Sequence, residues 1–575
     1  MTISRPGRAG LWTLHVAALL VLAFTIVRNI DRPLRWDEID FARQAHGILL
    51  HGAPLLTAAE DRQLAWPPST GASVRYGMWH PPLYLYTLAG ALAVGGDHNW
   101  VFRSVGVLSL LLTLLIGWRI AGLTMPAAPT LVRAAPLSLA LLSPLVTDFG
   151  LLVDIDNTVL APLLFLLLWT FLRAERPTSL RAILPLAAIF AVALSAKLTT
   201  PIIAMGSCGV YALLGDNPVR RAGAVMAASL IGAGVFAFAY WAYCYLLSYP
   251  PAFMFEYSYL GKRGMYTSAK SLTAILFAVR WNIVWLGPLM TLLAGLVCGQ
   301  RLARFMSSRR PQPVDLLWIF ALCVFVTYAG VGAMWGKYTM PAAVAAAMAI
   351  AATLAPAWSS VGVGHPWTLA AAIAAAAIVH ALLPAPQIRP GVFDLDHTSL
   401  RSALWDMRNI SVAVSCMTWG SAAWLAARYW LTSSSRQVSL ALTLTICVVV
   451  AAPITTARLA GFGFERGPMR PPQEQGFELT VAYLNRTAPD GAVIVAPKDI
   501  GYYYRGRSYG LERLLAEHGA EALSSVGREP NVMYVVDSAR YPIVTRPQEL
   551  AAIGFDHIEH IGDFLVFAKR GFVIR

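Results

Sequence analysis

Arg35-Trp36-Asp37-Glu38-Ile39-Asp40-Phe41 comes just after the first long apolar stretch of the chain, Leu11 to Val27. Three carboxylates at the mouth of an apolar segment are costly at a bilayer boundary unless they are paired or used. Arg5 and Arg8 precede the stretch, which gives it the charge pattern of a signal peptide. No small-x-small cleavage site follows; the chain continues Arg28-Asn29-Ile30-Asp31-Arg32-Pro33. The stretch therefore reads as a retained first transmembrane helix with a cytoplasmic N-terminus. The acidic run is then the start of the first outer loop, residues 31–100, with juxtamembrane helices. Tyr76-Gly77-Met78-Trp79-His80-Pro81-Pro82-Leu83-Tyr84 lies toward its end.

Outward from this loop the chain stays apolar. Hydrophobic residues make up 57% of its 575 residues and charged residues 13%, about half the charged share of a soluble protein. Apolar segments lie near 11–30, 82–96, 101–118, 135–150, 157–172, 182–196, 198–214, 222–247, 274–298, 314–334, 338–357, 366–383, 410–429 and 438–457. Many approach or exceed the roughly 18 residues that a bilayer core requires. The net charge is +14, yet residues 458–575 hold 14 Lys and Arg against 14 Asp and Glu. The basic excess thus belongs to the apolar part, where it reads as topology and contact with anionic membrane lipids, and no nucleic-acid partner is expected. All six cysteines lie in or beside apolar segments, forming neither a disulfide framework nor a CxxC metal site.

Lys and Arg in short loops favour the cytoplasm. The basic loops around Arg119 and Arg133, Arg173 to Arg181, Arg220-Arg221, Arg301 to Arg310, and Arg428 to Arg436 fall on one side only if one early segment does not cross. Pro82 to Gly96 is short and begins with two prolines, so it is expected to lie in the outer interface. About thirteen crossings remain. Asp37, His80, Asp154, Asp156, the stretch Tyr249–Ser271 and Lys337 are then outside. Fourteen crossings would put Asp154 and Asp156 on the opposite face from Asp37 and break the charge rule at several loops. Two domains are expected: a transmembrane domain, 1–458, and an extracytoplasmic domain, 459–575. After a Gly/Pro-rich linker at 461–472, a helix is expected from Phe477 to Thr487 and another from Leu511 to His518. The apolar runs at 492–496, 532–536 and 564–568 read as strands, which makes the second domain a small α/β one.

Asp37 suits the N-cap of a helix over Glu38–Leu50, with Glu38 favouring the positive end of its dipole. A positioned carboxylate can equally take the proton of an attacking hydroxyl, and the two roles are compatible. Asp40 reads as a solvated helix-surface residue. In Leu152-Val153-Asp154-Ile155-Asp156-Asn157-Thr158 the two acids would face one way in a strand or irregular turn. They could cap the next crossing, bind a sugar hydroxyl or a metal, or orient an acceptor. No cofactor is assigned, and a divalent metal at this pair stays open. Cations able to hold a phosphate are Lys197, Lys262, Arg263, Lys270 and Lys337, with Tyr338 beside the last. Lys197 and Lys337 are the stronger candidates, because their short loops cannot reach far into water; interfacial snorkelling is the alternative for each.

Asp37-Glu38 after the first crossing, His80-Pro81-Pro82-Leu83-Tyr84 closing the first outer loop, and acids after the third crossing resemble the GT-C glycosyltransferases. The resemblance is to the branch of protein O-mannosyltransferases and lipid A aminoarabinose transferases. Lys337-Tyr338-Thr339-Met340-Pro341 is similar to that branch's basic-Tyr-x-x-Pro stretch near the donor phosphate. The resemblance implies a polytopic α-helical membrane protein of GT-C type with a small C-terminal α/β extracytoplasmic domain, in a bacterial-type inner membrane. It implies inverting transfer of one sugar from a polyprenyl-phosphate donor to a lipid, glycan or protein acceptor. Asp37 is then the base or acceptor-orienting carboxylate, Glu38 its neighbour, and Asp156 or Asp154 the second acid. His80 and Tyr338 fall in donor-phosphate positions. A transporter or flippase for lipid-linked glycans is the reading from another class.

Overall fold

The computed structural model describes residues 5–35, 37–56, 60, 62–64, 75–76, 80–141, 143–147, 149–174, 179–248, 288–308, 310–330, 336–359, 476–538 and 547–571. In chain order the first helices are α1 (Arg5–Asn29), α2 (Asp37–His51), α3 (Leu83–Gly95), α4 (Asn99–Thr124), α5 (Thr130–Leu141) and α6 (Leu160–Arg173). They are followed by α7 (Leu180–Leu194), α8 (Thr199–Leu213), α9 (Pro218–Leu246), α10 (Pro288–Ser308), α11 (Pro313–Gly330) and α12 (Gly336–Ser359). Last come α13 (Phe477–Thr487), α14 (Lys498–Tyr503), α15 (Leu511–Gly527) and α16 (Pro547–Ala552). The strands are β1 (Leu55–Leu56), β2 (Gln63–Leu64), β3 (Arg75–Tyr76), β4 (Val493–Ala496), β5 (Arg507–Gly510), β6 (Val532–Ser538), β7 (His557–Ile561) and β8 (Phe564–Ala568).

The chain divides into two compact units. One comprises residues 1–31, 78–87 and 100–462; the other comprises 32–77, 88–99 and 463–575.

The first unit is helical. Among the described residues, α4, α9 and α11 are long and apolar enough to cross a membrane. Several further apolar helices are shorter, α5 to α8 running 12 to 15 residues. At 1.5 Å per residue these reach only about 18–23 Å, against a hydrocarbon core of about 30 Å. The expected segments at 366–383, 410–429 and 438–457 lie outside the described residues.

Helix α12 is the hub of this unit. Its run from Met340 to Ala351 is buried on every side, as expected of a helix apolar all round. Its alanines let α5 and α11 pack closely against it. The hub thereby fixes its own first turn, which carries Lys337 and Tyr338. These two residues were expected in a short turn between helices; instead the helix begins at Gly336 and takes them in. Helix α4 closes on the turn Phe149–Leu151 through Gly106, where a Cβ would stand 2.3 Å from the Gly150 carbonyl oxygen.

The second unit is an α/β sandwich on a six-stranded sheet of order β2-β5-β4-β6-β8-β7. β2, β5, β4 and β6 run parallel, whereas β8 lies antiparallel to both β6 and β7. Val493 and Val495 enter one core with Leu511, Leu514 and Phe555, while Ile494 and Ala496 enter the opposite core with Phe477, Tyr534 and Phe564. Burial on both faces explains why β4 reads as an unbroken apolar run rather than an alternating one.

Strand β2 does not come from the C-terminal region. It belongs to residues 32–77 and pairs Gln63 with Ser508 and Leu64 with Tyr509. Ser508 N–H also donates to the Arg62 carbonyl (2.9 Å). The strand covers the edge that β5 would otherwise expose. Helix α2 holds it there, with Arg43 donating to the Gln63 side-chain oxygen (2.6 Å). The α/β unit is thus built from two distant parts of the chain.

Candidate active site

The first unit gathers its charges where irregular backbone joins the helices. Residues 152–159 form turns ahead of α6 and bury both Asp154 and Asp156. The backbone N–H of Asp156 donates to Asp154 Oδ1 (3.3 Å), and the Thr158 hydroxyl donates to the Asp154 carbonyl. Asn157 donates through Nδ2 to the Leu152 carbonyl (3.3 Å). Arg103, buried near the start of α4, donates to the Leu151 carbonyl (3.0 Å). These bonds fix a turn whose carboxylates take separate partners.

Lys197 lies in the turn between α7 and α8, with its Nζ 2.6 Å from both Asp156 carboxylate oxygens. Lys337, from the first turn of α12, places its Nζ 2.7 Å from Asp154 Oδ2. All four side chains are at most 8% exposed. Two aromatic rings complete the cluster. Tyr328 and Tyr338 stack with centroids 5.0 Å apart and planes at 8°. Lys197 Nζ lies 4.4 Å from the Tyr338 centroid, and Lys337 Nζ lies 5.4 Å from it. The Tyr328 hydroxyl is hydrogen-bonded to Thr200 (2.7 Å) at the start of α8.

Four buried charges in one cluster would be prohibitive if unpaired, so the arrangement stands because each sign meets its opposite at contact. Burial alone would favour the neutral form of Lys197. The Asp156 carboxylate, with added electrostatic support from Tyr328 and Tyr338, outweighs it and pushes its pKa up. The result is a Lys197 ammonium group held charged in a buried site beside Lys337, the electrostatic equipment for an anionic ligand.

The sequence singled out both acids, both lysines and Tyr338, and the structure brings those five together. His80 is half-buried in the same unit, on the turn that leads into α3. Leu83 N–H donates to the Ser195 carbonyl (3.1 Å), tying the start of α3 to the turn that carries Lys197. Lys262, Arg263 and Lys270 lie outside the described residues. Among the described residues, no three His, Cys, Asp or Glu side chains are grouped to hold a metal ion; both turn acids are engaged by lysines. Sequence reasoning missed Tyr328, Thr200 and Arg103. A lone arginine near the start of an apolar helix was the available signal for Arg103.

Asp37 and Glu38 belong to the second unit, where the acidic stretch opens α2. Asp37 is exposed. Glu38 is buried and accepts a hydrogen bond from the Arg35 backbone N–H (2.9 Å). Reaching back across the helix start in this way is the work expected of a capping acid; here Glu38 performs it. Asp40, expected to be merely solvated, pairs with Lys498 at the start of α14. Arg35 pairs with Asp499 (2.6 Å), buried on both sides, and stacks over the Phe477 ring at 3.9 Å.

Similarity to known proteins follows the same lines. Among curated proteins, no sequence matches this chain. The chain is similar in fold to ArnT from Cupriavidus metallidurans. Against the form bound to undecaprenyl phosphate, identity is 15% over 97% of each chain, with a TM-score of 0.57. Against the apo form, identity is 16% over 97% of this chain and 98% of that one, with a TM-score of 0.53. The family model for dolichyl-phosphate-mannose-protein mannosyltransferase matches residues 79–241, which include His80, Asp154, Asp156 and Lys197. Over residues 79–241 the chain is thus similar to the dolichyl-phosphate-mannose-protein mannosyltransferase family, and its fold is similar to that of ArnT.

Proposed function

We propose that the protein transfers a single hexosyl or pentosyl unit, with inversion, from a polyprenyl-phosphate donor to an extracytoplasmic hydroxyl. The acceptor is a glycolipid such as lipid A, a polysaccharide or a protein. The observation that carries this reading is the buried Asp154–Lys337 and Asp156–Lys197 cluster. A polyprenyl-phosphate sugar carries its leaving group as an anion, so transfer needs cations at the phosphate more than a protein acid. Lys197 and Lys337 supply them, and Tyr338 stacks beside both. His80, Lys262 and Arg263 are the further donor-side candidates. The acceptor oxygen attacks the anomeric carbon, the carbon–oxygen bond to the phosphate breaks, and polyprenyl phosphate departs. The hydroxyl proton passes to a carboxylate.

Asp37 is our choice for that base. Its exposure at the start of α2 leaves it accessible, and the resemblance of the acidic stretch supports the role. Glu38 is its neighbour and also caps the helix. Asp156 and Asp154 act as second-acid candidates by holding the two lysines. We place the protein in a bacterial-type inner membrane, with the α/β part outside.

The test is transfer from a labelled polyprenyl-phosphate sugar in reconstituted vesicles. Asp37→Asn is expected to lose at least about 100-fold in rate, the ordinary contribution of a general base. Wild-type rates at equal protein would remove Asp37 from the role. The acceptor is identified by mass spectrometry of lipids, glycans and secreted proteins with and without the gene, looking for one missing sugar.

A further inference from the structure

A pocket of about 560 Å³ opens in the first unit, away from the lysine and aspartate cluster. Helix α4 contributes Trp118, Arg119 and Gly122, α5 contributes Arg133, and α6 contributes Trp169 and Arg173. The acidic turn precedes the N-terminus of α6, whereas Arg173 is its last residue. Fourteen residues at 1.5 Å each separate the two ends by about 20 Å, so this is a second site and not an extension of the first.

Its chemistry is one-sided. Three guanidinium groups converge on it, and among the described residues no acid lines it. The Arg173 guanidinium lies 5.1 Å from the Trp169 ring centroid, an arrangement that orients a planar fork. Arg133 donates through Nη2 to the Pro126 carbonyl (2.5 Å), while its buried Nε has no hydrogen-bond partner. Arginine forks match phosphate oxygens two at a time. The volume falls within the roughly 300–1,000 Å³ of small-ligand sites. Tryptophan beside arginine at the end of apolar helices is the composition of a membrane interface. Basic pockets between transmembrane helices on the cytoplasmic side suit anionic headgroups, and the distribution of Lys and Arg assigns this end to the cytoplasm.

We propose that this pocket binds a phosphate group, presented as the headgroup of an anionic membrane lipid. The site is independent of the transferase reading and lies outside its machinery. If the arginines only set topology, they would hold no particular ligand.

The test uses the purified full-length protein. In the first arm, native mass spectrometry follows retention of phosphatidylglycerol against phosphatidylcholine. In the second, inorganic phosphate is titrated in detergent and the shift in thermal unfolding is read. Both arms compare the wild type with R119A/R173A. Arg119 and Arg173 are exposed, so this variant is expected to fold and to keep its transfer rate. R119Q/R173Q, which keeps the stem over Trp169, repeats the comparison if expression falls. Each arginine near an anionic surface contributes about five-fold in binding, so retention of phosphatidylglycerol should fall roughly 25-fold in the double variant. Sensitivity in the phosphate arm alone would keep the phosphate site and assign a soluble source. Binding in neither arm, or binding that the variants leave unchanged, overturns the proposal.

Discussion

The two units handle buried charge in opposite ways. In the helical unit, two lysines and two aspartates from two turns and the first turn of α12 meet beside a stacked tyrosine pair, and their charges are spent on one another. In the α/β unit, the charges at the start of α2 are consumed by folding: Glu38 caps the helix, Arg35 takes Asp499, and Asp40 takes Lys498. Of the three acids in the opening stretch, Glu38 is buried, Asp40 is half-buried and Asp37 is exposed. A buried ion pair is weak evidence for stability in itself, because desolvation consumes most of its attraction. The lysine cluster therefore calls for a chemical explanation, whereas the α2 pairs are explained by joining residues 32–77 to the C-terminal region.

That contrast is broken most severely at Lys197. Lys197→Met strands the buried Asp156 carboxylate and should cost about 3–5 kcal/mol, read by denaturant unfolding of the purified protein. Adding Asp156→Leu should restore most of that stability while transfer stays lost. If transfer returned with stability, the cluster would be structural only. Next in size is Arg35→Met in the α/β unit, at about 3 kcal/mol for the stranded Asp499 carboxylate. Here adding Asp499→Leu should restore stability and transfer together, because folding is all this pair serves.

The same contrast explains what could be read without a structure. Strands β4, β6 and β8 were visible because burial on both faces leaves unbroken apolar runs. Strand β2 was not. Two residues, Gln63 and Leu64, carry no pattern, and their partner strand lies more than 440 residues away. Lys197 and Lys337 stood out because a cation between apolar helices has little water to reach. Their pairing with Asp156 and Asp154 was invisible, since only the fold sets contacts across 41 and 183 residues. The pairing of Asp40 was invisible for the same reason: its partner Lys498 is 458 residues distant. Tyr328 resembled any other aromatic residue at the end of an apolar helix.

A smaller perturbation asks how tightly the acidic turn must be held. Gly106→Ala would bring a Cβ to 2.3 Å from the Gly150 carbonyl oxygen, forcing α4 away from the turn that leads to Asp154. Overpacking of this kind costs about 1–3 kcal/mol. Because the displaced turn carries the carboxylates, the rate of transfer should fall along with stability. A fall in stability alone would mean that the lysines, and not the turn, fix the carboxylate positions.

The smallest effect should come from Lys498→Ala. Its pair with Asp40 is partly exposed, 23% and 39% by side chain, so water screens the attraction and the pair contributes about 0.2–1 kcal/mol. Raising the salt concentration should shrink even that difference. The value of this variant lies in what should not change. Asp40 and Asp37 sit in the same first turn of α2, so removing the Asp40 partner changes the local field without touching Asp37 itself. If Asp37 is the base and the Asp40 pair only joins chain segments, the transfer rate at saturating donor should stay within about two-fold of wild type, since surface changes of this size are small. A loss approaching that of Asp37→Asn would instead make the whole helix start, rather than one carboxylate, the reacting element.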